Sequence, residues 1–231
     1  MTAMPDAEQA PDETIRCTGG IAHIFATPIG RLTHPYADQL NPQLATTILN
    51  RLDPDDDRFA YKRETSPDLA HWGDPIIDSL SRWVLKAARR FVEDITGRTL
   101  ADPGTHTPGP ADTHDLAVAI GNSWASVYRR GDHHAAHFHP NTALAAIYYV
   151  KAPGLCELDL MDPRPNIDYF DAGISLAGED RNVRMHCRPG DLILIPGWLK
   201  HAVPAFEEPS ERISISWNLG YTAQGSGQNR R

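Results

Sequence analysis

The chain has only three cysteines in 231 residues, Cys17, Cys156 and Cys187. An odd, sparse set with no Cys-x-x-Cys spacing gives no basis for a disulfide framework or a zinc ribbon. It fits a reducing, cytoplasmic setting. No run of 18 apolar residues occurs, so no membrane span is expected. Met1 to Glu13 lacks a basic stretch followed by an apolar one, so it does not read as a secretory leader. Basic residues number 22 against 30 acidic ones, a net charge of −8, and no basic stripe stands out. A nucleic-acid partner is therefore not expected. No Gly-x-Ser-x-Gly elbow surrounds Ser214, which excludes it as a nucleophile of that kind. No internal repeat is visible.

What is present divides into two textures. Residues 1–13, rich in Ala, Pro, Asp and Glu, read as a disordered tail. Residues 14–115 read as an N-terminal helical and extended support region. Within it, Ile21 to Ile29 is β-prone and Asn41 to Leu52 reads as a short helix. Pro75 to Thr96 carries the strongest helical pattern. Asp74 is a good cap, Pro75 sits at the first helical position, and Gly97 is a natural stop. Ile76, Ile77, Leu80, Trp83, Val84, Ala87, Phe91 and Ile95 recur at helical spacing, a stripe expected to pack on a sheet. Ala101 to Asp115, rich in Pro, Gly, Thr and His, reads as a loop.

From Leu116 the texture becomes short β-runs: Leu116–Ile120, Trp124–Arg129, Leu144–Val150, Cys156–Met161, Val183–Cys187, Leu192–Ile195, Ala202–Pro204 and Arg212–Asn218. Turn residues such as Gly131-Asp132, Pro153-Gly154, Pro189-Gly190-Asp191 and Pro196-Gly197 separate them. The expected fold is mainly β with N-terminal helices. Its core, residues 116–221, is a double-sheet jelly roll of the double-stranded β-helix or cupin kind. A second tail is expected over 222–231.

The chemistry concentrates in histidines. His137 and His139 are one residue apart, and a strand would point both imidazoles to one face. At ~3.3 Å per residue their α-carbons are ~6.6 Å apart, close enough to share a metal. His201 follows a tight Pro-Gly-Asp turn, a buried strand and a second Pro-Gly turn, and could close a three-point site with open positions left over. That is the layout of a non-haem iron oxygenase. Arg212, some ten residues further on, could hold an acidic co-substrate by a bidentate contact. His133 and His134 sit beside Gly131-Asp132 and read as part of a turn.

Trp124, His137-x-His139-Pro140-Asn141, Tyr148-Tyr149-Val150, Asp162-Pro163-Arg164, Pro189-Gly190-Asp191, His201 and Arg212-x-Ser214-x-Ser216-x-Asn218 fall in one order. Over Trp124 to Asn218 the chain resembles the iron(II)- and 2-oxoglutarate-dependent oxygenases of the double-stranded β-helix type. The resemblance implies His137 and His201 as iron ligands. It implies Arg212 on the far carboxylate of 2-oxoglutarate, Ser214 adding a hydroxyl, and O2 as the oxidant. The product side would be succinate and CO2, with a small molecule or amino-acid-like group hydroxylated.

The wider superfamily places Asp or Glu where this chain has His139. Three readings stand: His139 ligates; Asp159 or Glu157 from a neighbouring strand completes the site; or the register shifts so that His139 and Asn141 occupy the motif. The alternative functions are a cupin-like three-histidine dioxygenase or isomerase that needs no 2-oxoglutarate, and a non-catalytic, metal-stabilised, ligand-binding β-sandwich. Tyr128 is assigned to the co-substrate pocket. Arg164, Tyr149 and Trp198 are candidates for contact with substrate; Arg164 could equally fix a turn with Asp162, and Trp198 and Trp217 read as core or cavity wall. The partner set is a small-molecule substrate, with a homodimer left open.

Overall fold

The computed structural model describes residues 26–53, 58–101, 116–164 and 182–223. The expected tail at 1–13, most of the β-prone opening, most of the loop from Ala101 and the tail beyond Ala223 lie outside the described residues. Ten strands and two α-helices are present among those described. They are β1 (Gly30–Thr33), α1 (Ala37–Arg51), β2 (Arg63–Glu64), α2 (Pro75–Thr96), β3 (Leu116–Tyr128), β4 (His134–His137), β5 (Leu144–Lys151), β6 (Glu157–Met161), β7 (Asn182–His186), β8 (Asp191–Pro196), β9 (His201–Val203) and β10 (Arg212–Ala223).

Two antiparallel sheets face each other. The larger runs β1-β8-β5-β10-β3-β2 and the smaller β4-β9-β6-β7. The jelly-roll expectation holds: sheet faces alternate, and each face of the larger sheet has its own core. Ala125, Val127, Tyr148, Ile213, Ile215 and Trp217 point outward and pack against Leu80, Val84 and Ala88 of α2 and Leu44 and Ile48 of α1. Ile147, Tyr149, Ile193 and Ile195 point inward, against Leu158, Leu160 and Val203 of the smaller sheet. Burial of each such Leu, Ile or Val side chain stabilises the fold by roughly 1.5–3 kcal/mol.

α2 forms where its signals place it. Asp74 accepts from the backbone N–H of Ile76 at 3.0 Å and of Ile77 at 3.4 Å, and Gly97 ends the helix at φ 67°. Trp217 is fully buried behind it and donates its indole N–H to Ser81 Oγ at 3.2 Å. Ile95, assigned to the apolar stripe, is instead 48% exposed in the last turn.

Other boundaries moved. α1 begins at Ala37 rather than Asn41, because Asn41-Pro42 imitates a cap and first-turn proline while lying inside the helix. No strand is present over Ala26–Ile29; the strand starts at Gly30, where pairing with β8 begins. The two runs Leu116–Ile120 and Trp124–Arg129 are one strand. Asn122 pairs with Asn218 and Ile120 with Leu219, so Gly121 is the extra residue of a β-bulge. β10 continues through Thr222 and Ala223, two residues expected in the tail. The strand expected to carry His137 and His139 is β4, and it spans His134–His137.

Candidate active site

The pocket lies between the inner faces of the two sheets, and β10 is its spine. Arg212, Ser214 and Ser216 alternate along its inner face and all line the pocket. Beside them on β3 stand Tyr128, Ser126 and Trp124, their partners in register. The smaller sheet contributes His137 from β4 and His201 from the start of β9, which pair directly across the two strands. The strand expected to carry both His137 and His139 stops at His137. His139 lies just past it, pinned by its backbone N–H to Gly197 O at 2.8 Å. Gly197 is needed there: a Cβ would stand 2.1 Å from Thr142 O. The next turn places Asn141 at φ 54°, a left-handed conformation that asparagine tolerates.

His137, His139 and His201 each present a ring nitrogen, all within 4.8 Å of one another. The rings of His139 and His201 are nearly parallel, 3° apart, with their Nε2 atoms at 3.3 Å. His201 Nδ1 lies 2.9 Å from Leu199 O and His137 Nδ1 2.8 Å from Ala135 O. A carbonyl only accepts, so each Nδ1 carries the proton and each Nε2 keeps its lone pair for a ligand. Burial lowers all three imidazole pKa values: His139, with His137 beside it, to about 4, and His201 to about 3. Three neutral, convergent imidazoles are the donor set a divalent transition metal takes.

The carboxylates weighed against His139 lie elsewhere. Side chains alternate along β6, so Leu158 and Leu160 are buried while Glu157 and Asp159 face outward. Arg184 holds Asp159 at 2.7 and 2.9 Å and Glu157 at 3.3 Å. Asn141 lies in the turn beyond His139 and lines a separate cavity.

At the closed end, Arg212 is 2% exposed. Its Nη1 donates to Glu157 O at 2.9 Å and its Nη2 to Tyr149 Oη at 3.4 Å, while Nε has no partner. The rings of Tyr128 and Tyr149 flank it at 5.1 and 5.2 Å. Among the described residues no carboxylate pairs with it. A buried guanidinium with a spare N–H and no counter-ion is costly unless an anion joins it. The slot therefore fits the distal carboxylate of a dicarboxylate, and Ser214 lines the same slot.

The remaining candidates separate. Tyr149 is fully buried against Arg212, at the closed end of the pocket. Arg164 binds Asp162 through Nε at 2.9 and 3.1 Å, in the turn-fixing arrangement. Trp198 is 55% exposed in the β8–β9 connection and does not line the pocket, so it is neither core nor cavity wall.

Lys62, Glu64 and His134 were missed. Lys62 is buried, forms an ion pair with Glu64, and lies 3.1 Å from Nδ1 of His134. Glu64 also accepts from Ser126 Oγ at 2.9 Å. His134, read as a turn residue, opens β4 and stacks on His137 at 3.8 Å. Burial, with the Lys62 ammonium next to it, drives its pKa to about 2, so the ring is neutral and can accept from Lys62. Lys62 in Tyr-Lys-Arg-Glu resembles a solvated charge run, and a two-residue strand leaves no periodic signal.

Residues 122–218 match the family model described as "Putative 2OG-Fe(II) oxygenase". No curated protein matches the chain. Among solved structures the fold is similar to a 2OG-Fe(II) oxygenase family oxidoreductase from Burkholderia pseudomallei (12% identity, 88% of this chain and 87% of that one, TM-score 0.54). It is also similar to HygX from Streptomyces hygroscopicus, solved with nickel, 2-oxoglutarate and hygromycin B (13% identity, 84% and 83%, TM-score 0.55). A Pseudomonas putida prolyl-4-hydroxylase is a third (14% identity, 83% and 92%, TM-score 0.51). At these identities the likeness is one of fold. By the family match over residues 122–218 and the histidine site within them, the chain is similar to the 2-oxoglutarate- and iron(II)-dependent oxygenases. It is an oxidoreductase whose cofactors are Fe(II), 2-oxoglutarate and O2.

Proposed function

We propose that His137, His139 and His201 hold the iron, that Arg212 with Ser214 and Tyr128 anchors 2-oxoglutarate, and that the substrate is an uncharged polar small molecule. One observation supports the substrate assignment. The inner residues of β10 run from Arg212 through Ser214 and Ser216 to Asn218, and Asn218 also lines a second cavity of about 440 Å3 at the far end. Asn122, Asn141, Thr142 and Tyr221 line that cavity, with no Asp, Glu, Lys, Arg or His. A charged ligand would lose water there without gaining a counter-ion, whereas hydroxyl or amide groups would find partners. HygX, of similar fold, binds hygromycin B, which is consistent with a small-molecule substrate.

Bound iron supplies dioxygen activation, coupling 2-oxoglutarate decarboxylation to substrate oxidation. The chain's own residues do the positioning. Arg212 fixes one end of the co-substrate by charge-assisted hydrogen bonds. Tyr128, Tyr149 and Ile147 wall the slot and exclude water. The neutral imidazoles leave the iron one charge unit more positive than a histidine–carboxylate set would.

The buried free thiols of Cys156 and Cys187 fit a reducing, cytoplasmic location. No described helix is long and apolar enough to cross a membrane. A homodimer is an assembly that solution mass measurement would reveal.

The test is succinate release with Fe(II), 2-oxoglutarate and a panel of small molecules, half uncharged polyols and amides, half carboxylates and amines. Stimulation by the uncharged half, abolished when Thr142→Trp fills the cavity, is the expected result. Stimulation by charged compounds alone, or indifference to Thr142→Trp, sinks the substrate assignment.

A further inference from the structure

Regular strand alternation would separate His134 from His137. Three residues apart, their side chains would leave on opposite faces. β4 carries one extra residue: His134 pairs with Val203 and His137 with His201, three steps on β4 against two on β9. The bulge brings both imidazoles to the pocket face, where both line the cavity. There the two rings stack, with centroids 3.8 Å apart and planes 23° from parallel. The Tyr61 ring extends the column, 5.6 Å from His134 and 27° from its plane. The ring nitrogens that converge within 4.8 Å are those of His137, His139 and His201. Those of His134 lie against the Lys62 ammonium, with Nδ1 at 3.1 Å and Nε2 at 3.5 Å. An ammonium only donates, so the nitrogen it meets accepts and has no lone pair left for a metal.

We propose that His134 is a positioning residue for His137: its ring is a plate that fixes the plane of the ligating imidazole, and Lys62 anchors the plate. The proposal rests on the three-histidine reading of the metal site. The hydrogen bond from His137 Nδ1 to Ala135 O, at 2.8 Å, fixes the tautomer and the direction of the ring. One hydrogen bond still lets the ring tilt about that contact, and tilting swings Nε2 off the metal. A flat ring packed on its face removes that freedom. His137 is the member of the three that needs such support, because it is half-buried while His139 and His201 are buried. Imidazole suits the plate because it both stacks and accepts from Lys62. A phenyl ring would stack but leave the ammonium to Glu64 alone, and an aliphatic side chain would do neither.

Co(II) binding to the intact protein tests this, measured by chelator competition and by the visible d–d spectrum. The variants are His134→Leu, His134→Phe, His134→Ala and His137→Ala, beside wild type. Leu and Phe both take the acceptor from Lys62 and both fill the space, so what separates them is the flat ring. His134→Leu should weaken Co(II) by roughly 10-fold, the low end for groups that support metal-bound histidines, and alter the spectrum. His134→Phe should keep affinity within about 3-fold of wild type on the same scale. Should the Leu variant fail to fold, His134→Ala takes its place. Wild-type affinity and spectrum in the ringless variant, with binding lost in His137→Ala, overturn this proposal alone. Weakening as great in His134→Phe as in the ringless variant assigns His134 to its hydrogen bond or to ligation, and also overturns it. Co(II) binding indifferent to His137→Ala overturns the three-histidine reading and this proposal with it.

Discussion

His139 and His201 face each other across 3.3 Å with their rings parallel to 3°, Nε2 to Nε2, and the proton of His201 is committed to Leu199 O on the far side. Two lone pairs so close repel unless a proton or a cation lies between them. Replacing either histidine by alanine should lower affinity for a divalent metal by at least 100-fold at pH 7, about 2.8 kcal/mol at 1.4 kcal/mol per tenfold. Anaerobic Fe(II) titration with 2-oxoglutarate, read by the visible charge-transfer band, checks this. A full band in His201→Ala would remove that residue from the ligand set.

Arg212 predicts opposite effects on function and stability. Arg212→Met should abolish saturable 2-oxoglutarate binding and the charge-transfer band. It should also raise the stability of the ligand-free protein by roughly 1–2 kcal/mol, because it deletes a buried cation that has no counter-ion. Urea unfolding with and without 2-oxoglutarate separates the two. A less stable variant would mean that the two tyrosine rings and Glu157 O more than offset the burial.

The histidines also set a pH limit. Burial holds His139 and His201 neutral, at about 4 and about 3, against an unfolded value near 6.5. The unfolded chain therefore binds more protons below pH 6.5, so stability falls as pH falls from 6.5 and levels off only below the folded values. The metal-free protein should lose several kcal/mol between pH 7 and pH 4, by linkage of order 1.4 kcal/mol per unit per group. Bound metal should steepen the fall, because ligation requires the unprotonated rings. Thermal melts across this range, metal-free and metal-loaded, provide the check; a flat metal-free curve would contradict the burial of these rings.

Lys62 joins the two sheets at the edge of the pocket, bridging Glu64 on β2 and His134 on β4. Removing it strands Glu64, which is largely buried, so Lys62→Met should cost roughly 3–5 kcal/mol. Lys62→Met combined with Glu64→Leu should recover most of that loss, since neither charge then lacks its partner. A double variant no better than the single would show that His134 and Ser126 depend on the pair for more than charge balance.

Much of this site is legible in the sequence because its parts lie on strands. Arg212, Ser214 and Ser216 share a face by period two, and the histidine order survives any error in strand ends. α2 is legible because Asp74, Pro75 and Gly97 mark its limits locally. The failures have local causes. Gly121 falls between two runs that read as separate strands, yet the pairing of β3 with β10 absorbs it as a bulge. His134 follows a turn and inherits its reading, because β4 becomes a strand only through pairing with β9. Lys62 is brought to the pocket by a two-residue strand whose sole signal is tertiary.

β10 sets the spacing of the whole site. From Arg212 to Asn218 is six residues, about 20 Å at ~3.3 Å each, and the intervening inner positions are hydroxyls that fill the distance without charge. Because the strand is paired on both sides, a single inserted residue between these ends could not be absorbed at an edge. Every inner side chain beyond it would turn towards the helices, where Ile215 and Trp217 now pack. Active-site divergence in a protein built this way is therefore expected by substitution within β10, and by insertion or deletion only in the connections between strands.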